Sequence, residues 1–294
     1  MEQNYVIVVD STTDITPQMA EEWGLVVIPY IFTLDGKDYY NYLDYRELSS
    51  KDFYDTLRTG KSATTTQVTP MRYLETWEPF LKDGKDILYM CLSSQLSKSY
   101  DQSQMAAREA METYPGRKVI TIDSKAASLG QGLLAVEASK AQKAGMSLDE
   151  NAALIEKLIQ RLHHWVVPDD LHHLKRGGRV SGASAFVGTM LSIKPLLTMV
   201  DDGKLVPISK ARGWTKALGY IVARMEEHKF APGEFDVYIA HSDMLERTEQ
   251  IKEAIIAKFG PTNFVVNSIG PVIGAHTGPG TVAVIFVGNN RAKV

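Results

Sequence analysis

The chain has 294 residues, 44% of them hydrophobic and 23% charged, with a formal charge of −3 and a single cysteine. That length allows about two domains, each with its own core, while the mildly acidic balance argues against a broad basic surface for nucleic acid. One cysteine excludes an internal disulfide framework and fits a reducing compartment, no run is long and apolar enough to cross a bilayer, and Val6 to Val9 is too short and lacks the basic start of a signal peptide. The expected location is the cytoplasm.

In chain order, Tyr5 to Val9 reads as a buried parallel strand and is followed at once by Asp10, Ser11, Thr12, Thr13 and Asp14. The same design returns at Ile87 to Leu92 before Ser93, Ser94 and Ser97, and at Val119 to Ile122 before Asp123 and Ser124. Strand, polar turn and helix repeat, which predicts an α/β sheet with ligands beyond the carboxyl ends of its strands. Pro29 to Pro79, with Tyr39, Tyr40 and Tyr42, reads as an inserted flap, and Cys91 as a buried core thiol. A helix after Ser97 places Met105, Ala106 and Ala110 at core-like spacing, and another spans Gly130 to Ala144. Ser147 and Glu150 have capping-box spacing and open a helix carrying Ile155, Ile159, Leu162 and Val166 on one face, closed by Pro168. The expected domains are therefore 1–166, α/β with its flap, and 167–294, mixed α+β.

In the second half, Leu196 to Ile208 reads as a hairpin around Asp202 and Gly203, a pair suited to a type I′ turn. A helix from Trp214 to His228, a strand at Phe235 to Ala240, a helix from Asp243 to Phe259 and strands near Val265 and Val284 complete the pattern. Between those last strands Ile269 to Gly280 reads as a rigid loop of glycines and prolines holding His276. The loop either presents that imidazole or uses it to satisfy a carbonyl.

Four polar clusters carry candidate chemistry: Ser62 to Gln67, Ser93 to Ser99, Lys175 to Arg179, and the His276 loop. Hydroxyls and free backbone N–H groups at a helix start receive anions, and Ser97 is so placed, although such residues are commonly only N-caps. Arg176 and Arg179 add positive charge on a flexible backbone suited to phosphate or carboxylate. His163, His164, His172 and His173 fall close together but straddle Pro168 without a cysteine, and read as solvated or interface groups with no metal. The phosphate-loop, dinucleotide and nucleophile-elbow patterns are absent, so no cofactor is expected.

Val8 to Asp14, Thr65-Thr66-Gln67, Leu92 to Ser97, Gly177-Gly178-Arg179 and Gly274 to Gly280 together resemble the DegV family of bacterial fatty-acid-binding proteins, from the first strand to the last. The resemblance implies two α/β domains with a fatty acid between them, its tail in an apolar tunnel, delivered to an ATP-dependent fatty-acid kinase that phosphorylates the carboxylate. It implies carboxylate binding by Thr65 and Ser97 with His276 beside them, a basic position near the phosphorylated head group at Arg212, and weaker kinase or phosphate contacts at Arg176 and Arg179. There are two departures from the family pattern: Val68 stands where proline often follows the glutamine, and Lys98-Ser99 replaces Gly-Thr. Lys98 is expected to point to solvent. A carrier with no turnover of its own is the first expectation; the alternatives are a phosphoryl-transfer or acyl-phosphate enzyme using His276 and a purely regulatory interaction protein.

Overall fold

The computed structural model describes residues 4–169, 171–180 and 193–291. The first unit begins with β1 (Tyr5–Asp10), α1 (Pro17–Glu22), β2 (Val26–Ile28), β3 (Tyr30–Leu34), β4 (Lys37–Asn41), α2 (Ser50–Arg58), β5 (Ala63–Thr66) and α3 (Pro70–Lys82). It continues with β6 (Asp86–Cys91), α4 (Ser99–Thr113), β7 (Val119–Asp123), α5 (Leu129–Lys143) and α6 (Leu148–Ile159). The three repeated apolar runs become neighbours in one parallel sheet of order β2-β1-β6-β7. Their near-continuous hydrophobicity follows from being covered on both faces. Sheet order reverses between β1 and β6, so the polar turns after those strands diverge and open a crevice at the carboxyl edge. The insertion forms an antiparallel sheet β4-β3-β5. It packs with α2, α3 and α4 on one face of the parallel sheet, around Phe32, Phe53, Tyr73, Trp77 and Tyr89. Cys91 lies in that core, and burial pushes its thiol well above the usual range. Helix α4 turns Ala106, Ala107 and Ala110 inward and leaves the expected core residue Met105 half exposed.

Helix α6 opens on the anticipated capping box, with Ser147 Oγ accepting from Glu150 N and the Glu150 carboxylate accepting from Ser147 N at 3.0 Å. It ends at Ile159 and not at Val166. Residues Leu162–Val167 form β8, every residue of it buried. A fully buried strand has no polar alternation, so Leu162 and Val166 merely continued the helical spacing of Ile155 and Ile159 by coincidence. His163 and His164 are in this strand and buried, which corrects the solvated reading; they point to opposite faces, as successive strand residues must.

After β8 come α7 (His172–Gly177), β9 (Ile193–Met199), β10 (Leu205–Arg212), α8 (Trp214–Glu227), β11 (Val237–His241), α9 (Leu245–Phe259), β12 (Phe264–Ser268), α10 (Pro271–Thr277) and β13 (Val282–Val287). The second sheet has the order β10-β9-β8-β13-β11-β12. Helices α8 and α9 cover one face around Ile221, Ile251 and Phe286. Against the other face lies α5, buried nearly all round because both sheets pack on it. The chain is thus a layered α/β molecule of two units. We propose the division at the α6–β8 junction, since a cut at 166/167 would fall inside a strand laddered into the second sheet.

The hairpin between β9 and β10 departs from type I′. Only Gly203 takes a positive φ, while Asp202 accepts Lys204 N on its carboxylate at 2.9 Å and so shapes the turn through its side chain. Among the described residues no helix is long and apolar enough to cross a membrane.

Arg291 fastens these layers after the last strand. Its buried guanidinium donates to the carbonyls of Ile159 (3.1 Å), Lys125 (3.1 Å) and Val200 (3.3 Å), and burial lowers its pKa to about 10. Replacing it leaves three carbonyls short of donors, so Arg291→Met should lower the unfolding free energy by about 2–4 kcal/mol in denaturant titration.

Candidate functional site

A cavity of about 330 Å³ opens between the two units. Its middle is hydrocarbon, from Leu92, Leu96, Leu174, Met199, Leu205 and Val272, and one end carries Tyr30, Thr65, Ser97 and His276. Four parts of the fold deliver those polar groups. Tyr30 begins β3 and Thr65 lies in β5, on the two strands paired through Phe32 and Thr65. Ser97 comes from the turn after β6, and His276 from the last turn of α10.

The segment around His276 is a helix rather than the expected loop. Pro271 stands in its first turn, where a fixed φ favours helix and the missing N–H costs nothing, and Gly278 ends it with φ 74°. The helix brings His276 Nε2 to 2.9 Å from Thr65 Oγ1. Burial first, and the Arg179 charge second, push the imidazole down to about 4, so the ring is neutral near pH 7. If Nε2 holds the proton, it donates to Thr65 Oγ1 and frees the threonine O–H for a ligand oxygen. Nδ1 of His276 makes no hydrogen bond in the described structure.

Ser97 serves two roles. Its Oγ accepts from Ser99 N at 3.2 Å and donates to Ser99 Oγ at 3.0 Å, steadying the start of α4, and it also lines the cavity. The two departures from the family pattern meet here: Val68 N donates to Ser99 Oγ at 3.2 Å. Proline at position 68 has no such donor, so a hydroxyl at 99 and a free N–H at 68 suit each other. Tyr30, which the sequence reading missed because its element was read only as flap, brings a buried hydroxyl close to Ser97 and Ser99 without a hydrogen bond. Burial raises its pKa far above the usual range, so it stays a donor.

Arg179 stands at the rim, its Nε donating to Leu96 O at 3.1 Å and its Nη1 to Gly177 O at 2.5 Å. Lys98 is also at the rim, largely solvent-exposed and 3.5 Å from Asp101. Arg176 is exposed and bonded to His173 Nδ1 at 2.9 Å, and Arg212 is exposed at the end of the edge strand β10. Neither lines the cavity. His163 stacks on His228 and Phe286 and pairs with Asn289 O at 2.8 Å, so the four clustered histidines do not converge. No group of metal-ligating side chains occurs among the described residues.

Behind the polar end lies Asp14. Its carboxylate accepts from Gly270 N at 2.9 Å and Ser128 Oγ at 2.5 Å, and its carbonyl accepts from Asn267 Nδ2 at 2.7 Å. Burial is the main cause raising its pKa to about 7, against the opposing pull of those donors. An unfolded aspartate titrates near 3.9, so between about pH 4 and 7 the native protein retains a proton that the unfolded chain has released. Stability from this group is present at the acid end and falls as pH rises, by up to about 1.4 kcal/mol per pH unit. Measured by denaturant unfolding, wild type should therefore lose stability relative to Asp14→Asn between about pH 5 and 7; a constant difference would mean that Asp14 is ionised throughout.

The DegV family profile, described as an uncharacterised protein family, matches residues 4–289. A DegV domain-containing protein of Clostridium perfringens is 38% identical over 289 residues, covering 98% of this chain and 99% of that one. The fold is similar to a Thermus thermophilus DegV family protein studied for fatty acid binding, at 29% identity and TM-score 0.86 over 97% of this chain and 99% of that one. It is also similar to DegV, a fatty acid binding protein from Bacillus subtilis, at 28% identity and TM-score 0.83 over 98% of this chain and 100% of that one.

Proposed function

The chain belongs to the DegV family, and from that membership and the cavity's geometry we propose that it is a carrier of long-chain fatty acids. The observation that carries this reading is an apolar cavity that ends on three hydroxyls and a neutral imidazole. Tail burial supplies affinity: each methylene contributes about 0.8 kcal/mol, so a chain of about fifteen gives roughly 12 kcal/mol before ordering and association costs. Head-group contacts set the pose. A carboxylate taken out of water needs donors, which Thr65, Ser97 and Tyr30 provide, while His276 orients the Thr65 hydroxyl. Arg179 and Lys98, at the rim, offset its charge without burying a cation.

In this reading the chemistry is done by another protein. The acid is presented to a fatty-acid kinase for phosphorylation, as the motif resemblance implies, and Arg176 and Arg212 are proposed to face that kinase because they are exposed and outside the cavity lining. The product would enter phospholipid metabolism. A phosphoryl-transfer role for His276 itself has less support, since the basic residue invoked for it, Arg212, does not line the cavity.

Purified protein, denatured and extracted, should release a long-chain fatty acid visible by mass spectrometry. Thr65→Ala and Ser97→Ala should each weaken binding of added fatty acid about tenfold, as expected for losing one hydrogen bond to a charged group. Thermal unfolding of Ser97→Ala separates that loss from its local role at the start of α4. Recovery of no lipid together with no binding of added acid would overturn the carrier reading.

A further inference from the structure

His164 lines the same cavity but belongs to a different part of it. It is 2% exposed, and neither ring nitrogen makes a hydrogen bond among the described residues, although the Ala127 carbonyl lies near. Around it the lining is apolar, from Val166, Met199, Leu205 and Ala283. Burial holds the ring well below its usual titration range, so it is neutral, with one nitrogen a donor and the other an acceptor. A plain hydrocarbon against it leaves at least one nitrogen unpaired, a penalty worth roughly tenfold in an equilibrium constant. Leucine or valine would fill a buried strand position without that penalty.

The fold makes room for this imidazole. Gly130 sits in the first turn of α5, and any Cβ there would overlap the ring at Nε2. Glycine is a poor helix former, so α5 yields some stability at the point where the ring needs space. Strand register gives the position. Thr281 Oγ1 donates to Thr277 O at 3.0 Å, next to His276, whereas His164 pairs with Ile285, four residues further along β13. At about 3.4 Å per residue that sets Ile285, with His164 beside it, roughly 14 Å along the strand from Thr281.

We propose that the preferred occupant is a fatty acid bearing a hydroxyl or keto oxygen part-way along its chain, and that His164 is the residue that selects it. The inference rests on the carrier reading and adds the substituted chain to it. The test is competition between palmitic acid and its monohydroxy and keto positional isomers on delipidated full-length protein, in wild type, His164→Leu and His164→Gln. At least one substituted isomer should bind wild type about tenfold more tightly than palmitic acid. That advantage should disappear in His164→Leu, with palmitic acid bound at least as well as in wild type, and return in part in His164→Gln. Palmitic acid binding as well as or better than every substituted isomer in wild type would overturn the inference alone and assign His164 to a trapped water. Failure of both classes to bind would overturn the carrier reading with it.

Discussion

Asp14 is a buried carboxylate on which three segments of the chain converge, and the cavity's walls depend on it. It follows β1, takes the first N–H before α10 and the hydroxyl before α5, and gives its own carbonyl to Asn267 at the end of β12. Helix α10 carries His276; the turn into α5 carries Ala127 and Ser128 of the lining. Ser128 itself is held at φ 55°, ψ −142°, a conformation that costs a non-glycine residue about 1–3 kcal/mol and persists only where its surroundings fix it. One acid therefore registers the first unit against the helix that supplies the second unit's histidine. Its proton balance is part of that register, because a charge so fully buried is stabilised only by the two donors that define the geometry.

The cavity combines two chemistries at different costs. Its hydrocarbon wall needs only to exclude water, and many side chains would serve. Its polar atoms are another matter, since each buried donor or acceptor must find a partner. Tyr30, His276 and His164 all contribute atoms without one in the described structure. Two of these lie with Thr65 and Ser97 at one end, and the third lies deep in the apolar part. That arrangement describes a ligand better than it describes a core: an apolar body with polar demands at more than one place. The Val68–Ser99 hydrogen bond helps to hold the polar end in shape with residues different from the family pattern.

Much of the fold was legible because its signals are local. Three apolar runs, each ending in hydroxyls or acids, announced a parallel sheet with its chemistry at the carboxyl edge, and β1, β6 and β7 form it. Ser147 and Glu150 announced the start of α6, because a capping box is made within one turn. The end of that helix was not legible. Leu162 and Val166 fit the helical period, and only pairing with β9 and β13 makes them a strand. For the same reason His163 and His164 looked like surface groups: nothing in their spacing says that helices cover both faces of β8.

By itself the sequence determined which residue types stand at each strand end, the cap that opens α6 and the presence of hydroxyls and a histidine suited to an anion. It also named Thr65, Ser97, His276 and Arg179, because their motifs are contiguous. Tertiary structure decided which of them meet. Thr65 and His276 are 211 positions apart, and their 2.9 Å contact exists only because α10 docks against β5. Arg212, placed by the family resemblance alone, ends on an exposed edge strand outside the cavity lining. Tyr30 and His164 gained their places from burial, which no local pattern records. Hydrogen bonding within a turn is written in neighbouring residues; the loss of water around a side chain is a property of everything that packs upon it.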